Sequence, residues 1–394
     1  MSAIGPVTTQ FFEFGSPEDP FRLENGATLS RVRLAYETYG RLNAERDNAV
    51  LVFHALSGSA HAAGINPTSP IGPDSVLDPA IWTDECEIGW WDNFIGPGLA
   101  LDTDRYFVIC ANYLGGCYGS TGPASVDPAT GAPYGSRFPD VTIGDIVNTQ
   151  VRLLDHLGID RLKATIGGSM GGMLAMDLAL RHPRRVRMVA PVAAAAGTSA
   201  LTRVHNFEQL YALQEDPNFN RGDYYGGPKP LQGMILARMI SHKTFVSLDV
   251  MEARAKGYIV QDDNDLKGYQ MRHQIESYML YQGKKFARRF DSNSYVKILT
   301  AWQSFDLART FGGGDLEEAF RRSRGHQYLV FSIDSDVCFF PDEQAAMVHA
   351  LKRAGVAYHY VTVHSDKGHD SFLIEPELYT PTISYLLAEA HANA

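Results

Sequence analysis

Two periodicities divide this chain. Over its first half, short apolar runs alternate with stretches in which apolar residues recur every three or four positions. That is the pattern of strands joined by crossover helices in a mostly parallel sheet. The spacing predicts strands at Arg31–Tyr39, Ala49–Ala55, Tyr106–Asn112, Leu162–Gly167 and Val186–Val192. Between the third and fourth of these, Ile143, Ile146, Val147, Leu154 and Leu157 repeat at helical spacing. Thr142 suits the cap of this helix, Asp145 its first turn, and Gly158 the position beyond its end. From 198 to 306 the alternation stops. Helical patterns rich in Tyr, Met and paired charges take over, for example Gly233–Ser241, Leu248–Gly257 and Tyr269–Phe290. The alternation resumes with a strand Gln327–Ile333, a helix from Glu343 to Arg353, a strand Ala357–Val363 and a terminal helix around Pro381–Ala390. A sheet interrupted and then completed predicts one α/β core, residues 1–197 and 307–394, carrying a helical lid insertion at 198–306.

Composition narrows the class. With 45% hydrophobic and 20% charged residues over 394 positions, the chain can bury a large core, which excludes disorder. No apolar run approaches the roughly 20 residues of a membrane span. The opening stretch MSAIGPVTTQFFEFG lacks the basic and apolar segments of an export signal. A cytoplasmic protein is therefore expected. Cys86, Cys110, Cys117 and Cys338 form no C-x-x-C pair and no zinc spacing, so they read as reduced thiols. A net charge of −10 argues against broad binding to nucleic acid or anionic membranes. A polyanionic co-substrate needs a locally basic site; Lys284, Lys285, Arg288 and Arg289 form a basic cluster, but it reads first as a solvated helix face.

The clearest chemistry lies where the strand Leu162–Ile166 runs into Gly167-Gly168-Ser169-Met170-Gly171-Gly172 and a helical pattern follows. This is G-x-S-x-G between strand and helix, the nucleophile elbow of an α/β-hydrolase fold. A sharp turn exposes the Ser169 hydroxyl, and small flanking residues let the backbones approach. The Met170 N–H and the helix N-terminus then face a developing oxyanion. A serine needs a base, and in this fold the chain order is Ser, Asp or Glu, then His. The strand Gln327–Ile333 ends in Asp334-Ser335-Asp336, and Ala357–Val363 leads to Lys367-Gly368-His369-Asp370. His369 is the expected base, because His359 lies inside a strand and His364 at its end. Asp334 and Asp336 both qualify as its orienting carboxylate. The second oxyanion donor is expected after Ala49–Ala55, at the Leu56 N–H, with His54 packing beneath the site.

Several further motifs join these. His54-Ala-Leu-Ser-Gly58, Gly89-Trp-Trp-Asp-Asn-Phe-Ile-Gly-Pro-Gly98, Asn112-Tyr-Leu-Gly-Gly-Cys-Tyr-Gly-Ser-Thr-Gly-Pro123 and Gly131-Ala-Pro-Tyr-Gly135 precede the elbow. Gly222-Asp-Tyr-Tyr225, Glu276-Ser-Tyr-Met-Leu-Tyr-Gln-Gly283 and Gly368-His-Asp-Ser-Phe372 follow it. In this order they resemble the homoserine O-acyltransferases, over about residues 30 to 375. The resemblance implies a ping-pong reaction in which Ser169 takes an acyl group from acyl-CoA and passes it to the homoserine hydroxyl. It implies His369 as base and acid, Asp336 as its orienter, Arg238 on the amino acid's carboxylate and Asp370 on its ammonium. It also implies a homodimer built through the lid helices, and no metal or prosthetic group. Succinyl-using relatives carry arginine two residues after the catalytic Asp, where acetyl users carry leucine. Here that acyl-specificity position is Cys338, which offers no positive charge and favours acetyl-CoA as co-substrate. Serine as acceptor stays open, since one methylene is worth only about 1–3 kcal/mol of discrimination. The triad alone equally serves an esterase or thioesterase that uses water. A catalytically dead scaffold is disfavoured by the presence of all three triad residues.

Overall fold

A computed structural model describes residues 2–256, 266 and 268–389. Its centre is an eight-stranded sheet: β1 Gln10–Phe14, β2 Val32–Tyr39, β3 Ala49–Phe53, β4 Phe107–Ala111, β5 Leu162–Gly168, β6 Val186–Val192, β7 Gln327–Ile333 and β8 Ala357–Val363. Their spatial order is β1-β2-β4-β3-β5-β6-β7-β8. β2 runs antiparallel to both β1 and β4, and the remaining neighbours are parallel. The central strands are covered on both faces: every residue of β3 and β5 is buried. This is why they read as unbroken apolar runs rather than alternations.

Seven of the eight strands lie where the apolar pattern puts them, with ends that differ by up to two residues. β3 stops at Phe53 because His54 and Ala55 already belong to the loop that shapes the site. β1 is not apparent in the pattern. It is an edge strand in which Phe12 stacks on His156 at 4.4 Å while Phe11 lies under the Arg33 guanidinium at 3.7 Å. Both of its faces are thus apolar, and no period of two shows.

Helix α1, Ile143–His156, has a full capping box: Thr142 accepts from the Asp145 N–H, and Asp145 accepts from the Thr142 N–H. Gly158 follows at φ +68°. α2 is Met170–Arg181. Between β6 and β7 come α3 Ala200–Gln214, α4 Leu231–His242, α5 Leu248–Ala255, α6 Gln274–Arg289, α7 Ser292–Gln303, α8 Leu307–Gly312 and α9 Leu316–Phe320. The expected helix ends at Gly257 and Ala390 lie outside the described residues. α4 packs on both α3 and α6, and α3 on α7, whereas α8 turns back to α2 and α9 to the helix Pro341–Ala354 of the core. The chain leaves and re-enters the core at one neck, where Gly197 bridges Asp306 and Leu307 N–H donates to Ala196 O at 2.9 Å. α10 Pro341–Ala354, α11 Ser371–Ile374 and α12 Thr380–Glu389 complete the chain. Among the described residues no helix is long and apolar enough to cross a membrane.

Candidate active site

β5 passes into α2 through one residue, Ser169, held at φ 59°, ψ −129°. This left-handed backbone is rarely adopted by a residue with a side chain and stores strain. Two hydrogen bonds of 2.9 Å fix it, from Ser169 N–H to Val192 O and from Gly172 N–H to Ser169 O. The flanking glycines are there for close approach. A Cβ on Gly171 would lie 2.2 Å from Phe53 O, and one on Gly168 2.2 Å from the Phe372 ring. The elbow therefore sits directly against the end of β3 and the segment following His369.

His369 lies in a single 3-10 turn, Gly368–Asp370, between β8 and α11. Its Nδ1 is 2.7 Å from Asp336 Oδ2. Asp336 Oδ1 meanwhile accepts the Cys338 N–H at 2.7 Å and the Phe339 N–H at 3.0 Å. With both carboxylate oxygens accepting, the proton belongs on Nδ1, which leaves an Nε2 lone pair. Among the described residues that Nε2 has no partner. His369 and Ser169 both line one cavity of about 190 Å³. Burial lowers the affinity of His369 for its second proton, but the Asp336 charge and hydrogen bond, aided by Asp370, outweigh it and raise the pKa. Asp334 instead pairs with the exposed His364 at 2.8 Å, and His359 is exposed on the edge strand. Of the two candidate carboxylates, the fold brings Asp336 to the histidine.

Leu56 lines the same cavity, and its N–H has no acceptor among the described residues. The Met170 N–H is the first of α2, where no intrahelical partner exists. His54 is 2% exposed and stacks on Tyr113 at 3.6 Å. Its Nδ1 bonds Ala55 O at 2.7 Å, and burial pushes its pKa down to about 4. A neutral, stacked ring off the cavity lining is a packing residue. From the Gly89–Gly98 motif Trp90 lines the cavity, and Trp91 Nε1 donates to Phe372 O at 2.8 Å.

Three charged side chains share the cavity: Arg238 from α4, Arg289 from α6 and Asp370. The Arg238 guanidinium sits between the Phe286 and Phe245 rings, 4.6 and 4.9 Å from their centroids. It has no hydrogen bond among the described residues, and its Nε is a buried donor without a partner. Burial first, then the like charge of Arg289, lower its pKa to about 10, so it stays charged at neutral pH. Burial raises the Asp370 pKa, opposed by His369 and Arg238. Cys338 does not line this cavity. It faces a smaller one of about 20 Å³, with Phe245 and Trp302 forming the shared wall. Its contribution to the triad is its backbone N–H on Asp336. Arg289, which the sequence reading placed in a basic cluster on a solvated helix face, lines the cavity instead. Its signal was its place three residues after Phe286 on α6, whose buried residues are Leu280, Gly283, Phe286 and Ala287.

The chain matches a family profile described as alpha/beta hydrolase fold over residues 48–376. It is 41% identical to a homoserine O-acetyltransferase of Solidesulfovibrio magneticus, over 100% of this chain and 95% of that one. It is 44% identical to a homoserine O-succinyltransferase of Nitrosospira multiformis, over 96% of this chain and 95% of that one. Among solved structures, a homoserine O-acetyltransferase of Bacillus anthracis superposes with a TM-score of 0.83 at 27% identity, over 97% and 98% of the two chains. The structure of esterase E22 superposes with a TM-score of 0.82 at 29% identity, over 96% and 100%. This chain belongs to the α/β-hydrolase fold family and, within it, to the homoserine O-acyltransferases.

Proposed function

We propose that this enzyme moves an acetyl group from acetyl-CoA to the hydroxyl of L-homoserine through an acyl-Ser169 intermediate, a step of methionine synthesis. The observation that carries this is one cavity lined by Ser169, His369, Arg238 and Asp370. In the first half-reaction, His369 Nε2 takes the Ser169 proton as the oxygen attacks the thioester carbonyl. The Leu56 and Met170 N–H groups hold the oxyanion. The carbon–sulfur bond breaks, and His369 returns the proton to the departing thiolate. In the second half, the homoserine hydroxyl gives its proton to His369 and attacks the acyl carbon, and Ser169 leaves with that proton. Arg238 matches the acceptor's carboxylate and Asp370 its ammonium. A bound zwitterion excludes water, which favours transfer over hydrolysis.

Acetyl is the proposed donor because the arginine carried by succinyl-using relatives is replaced here by Cys338, whose side chain stands off the catalytic cavity. The chemistry calls for no metal or prosthetic group. The test is a matrix of acetyl- and succinyl-CoA against homoserine, serine and water, with EDTA present, reading CoA release and product mass. O-acetylhomoserine should dominate. Rapid CoA release with only free acetate formed would make the protein an esterase-like hydrolase, the reading that the likeness to esterase E22 keeps alive.

The chain is proposed to act in the cytoplasm, where its four free cysteines stay reduced, and as a homodimer joined by lid helices. Leu201, Val204, Phe207 and Tyr211 make an exposed apolar stripe on α3, and a groove of about 710 Å³ runs between α4 and α6. Sedimentation equilibrium should return twice the chain mass; a monomer at micromolar concentration would reject the dimer.

A further inference from the structure

Arg289 is a charged group for which the triad chemistry has no use. It is carried on the inward face of α6 and held from one side only. Its Nη1 donates to Tyr118 Oη at 3.2 Å and to Ser57 O at 3.4 Å. The Tyr118 hydroxyl in turn donates to the Arg289 carbonyl. The same guanidinium lies 5.1 Å from the Phe286 ring centroid, against which Arg238 also packs at 4.6 Å. Among the described residues, Nε and Nη2 make no hydrogen bond, and no carboxylate forms an ion pair with Arg289. A guanidinium has five N–H donors. Here those on one nitrogen are engaged by protein, and the others belong to a side chain lining the catalytic cavity.

The cavity therefore holds two guanidiniums around one phenyl ring. Of the carboxylates nearby, Asp336 is consumed by His369 and two backbone N–H groups, which leaves Asp370. Two like charges lining one cavity repel, and the Arg289 charge adds to burial in lowering the Arg238 pKa. A carboxylate bound there relieves both at once. It offers two oxygens and about four acceptor sites, more than one fork can fill.

We propose that Arg289 is a second guanidinium grip on the acceptor's carboxylate, which makes the site select α-amino acids over amino alcohols. The proposal rests on the transferase reading above, with Arg238 as the first grip. Tyr118 and Ser57 preset the Arg289 fork, so little side-chain freedom is lost when the substrate arrives.

The experiment compares homoserine with 3-amino-1-propanol, which keeps the ammonium and hydroxyl but lacks the carboxylate. Wild type, Arg238→Ala, Arg289→Gln and Arg289→Lys are assayed with saturating acetyl-CoA and then with succinyl-CoA. Arg289→Gln should lower kcat/KM for homoserine by about 30-fold or more relative to aminopropanol, a loss on the scale of charge-assisted hydrogen bonds. Arg238→Ala should erode the same ratio. Arg289→Lys keeps the charge without the fork and should fall between wild type and Gln; it also carries the test if Gln does not fold. An equal loss with both acceptors would make Arg289 a support of the Ser57 loop and overturn the proposal. So would an unchanged ratio, or a loss confined to succinyl-CoA. If wild type itself forms no O-acylhomoserine, the transferase reading fails instead, an outcome the variants cannot imitate.

Discussion

Ser169→Ala is expected to abolish acyl transfer, with kcat down by roughly 10⁶-fold, the scale on which removing such a nucleophile acts. The substitution removes one oxygen and keeps the Cβ, so the backbone conformation at φ 59° is no more strained than before. The two hydrogen bonds that fix the elbow are made by backbone atoms and survive. A large fall in stability is therefore not expected, and the loss belongs to the chemistry. The readouts are the burst of CoA release when acetyl-CoA meets enzyme without acceptor, and the acetyl adduct seen by mass spectrometry of the wild type. Both should vanish in the variant while its thermal midpoint stays within a few degrees. Activity close to wild type would remove Ser169 from the mechanism.

The second large effect is expected from Asp336→Asn, with kcat lower by about 10⁴-fold. The geometry says why. Two N–H donors, from Cys338 and Phe339, point at one oxygen of this side chain. An asparagine must keep its carbonyl there and so turns its NH₂ toward His369 Nδ1. The imidazole proton then moves to Nε2, the atom that must accept the Ser169 proton. A pH signature accompanies the loss. In the wild type the His369 pKa is raised, because the charge and hydrogen bond of Asp336 overcome burial. The base works only when neutral, so activity is present above that pKa and is lost as pH falls through it. Removing the carboxylate leaves burial as the leading influence, and the residual activity should keep its plateau to lower pH. A pH–rate profile for kcat/KM checks this. An acid limb that stays in place, or rises, would mean that a different group sets it.

How much of this could be read from sequence follows from what each pattern measures. Buried parallel strands announce themselves because both faces must be apolar, and capping announces α1 through Thr142, Asp145 and Gly158. Ser169 was legible because its backbone demands small neighbours. β1 was not, because its second apolar face is covered by an arginine from the next strand rather than by core. Asp336 and Asp334 are two residues apart in one loop, and spacing alone does not say which turns inward. The selection is made by the Cys338 and Phe339 amides, a backbone arrangement with no residue signature. Arg289 was hidden by company: three neighbouring cations suggested solvent, while its helical register placed it over Phe286. At Cys338, position along the chain suggested an acyl contact, whereas the side chain stands behind the Phe245–Trp302 wall.

The turn that carries His369 does not belong to the core alone. Asp370 N–H donates to Phe245 O at 3.0 Å, Ser247 Oγ donates to Asp366 O at 2.5 Å, and a Cβ on Gly368 would meet Ser247 N at 2.5 Å. The stretch following α4 is thus bolted to the loop of the general base. Anyone building chimeras to swap acceptor preference between relatives inherits this constraint. Residues 245–247 and 366–370 must come from the same parent, or the imported helices will displace the imidazole they were meant to leave alone.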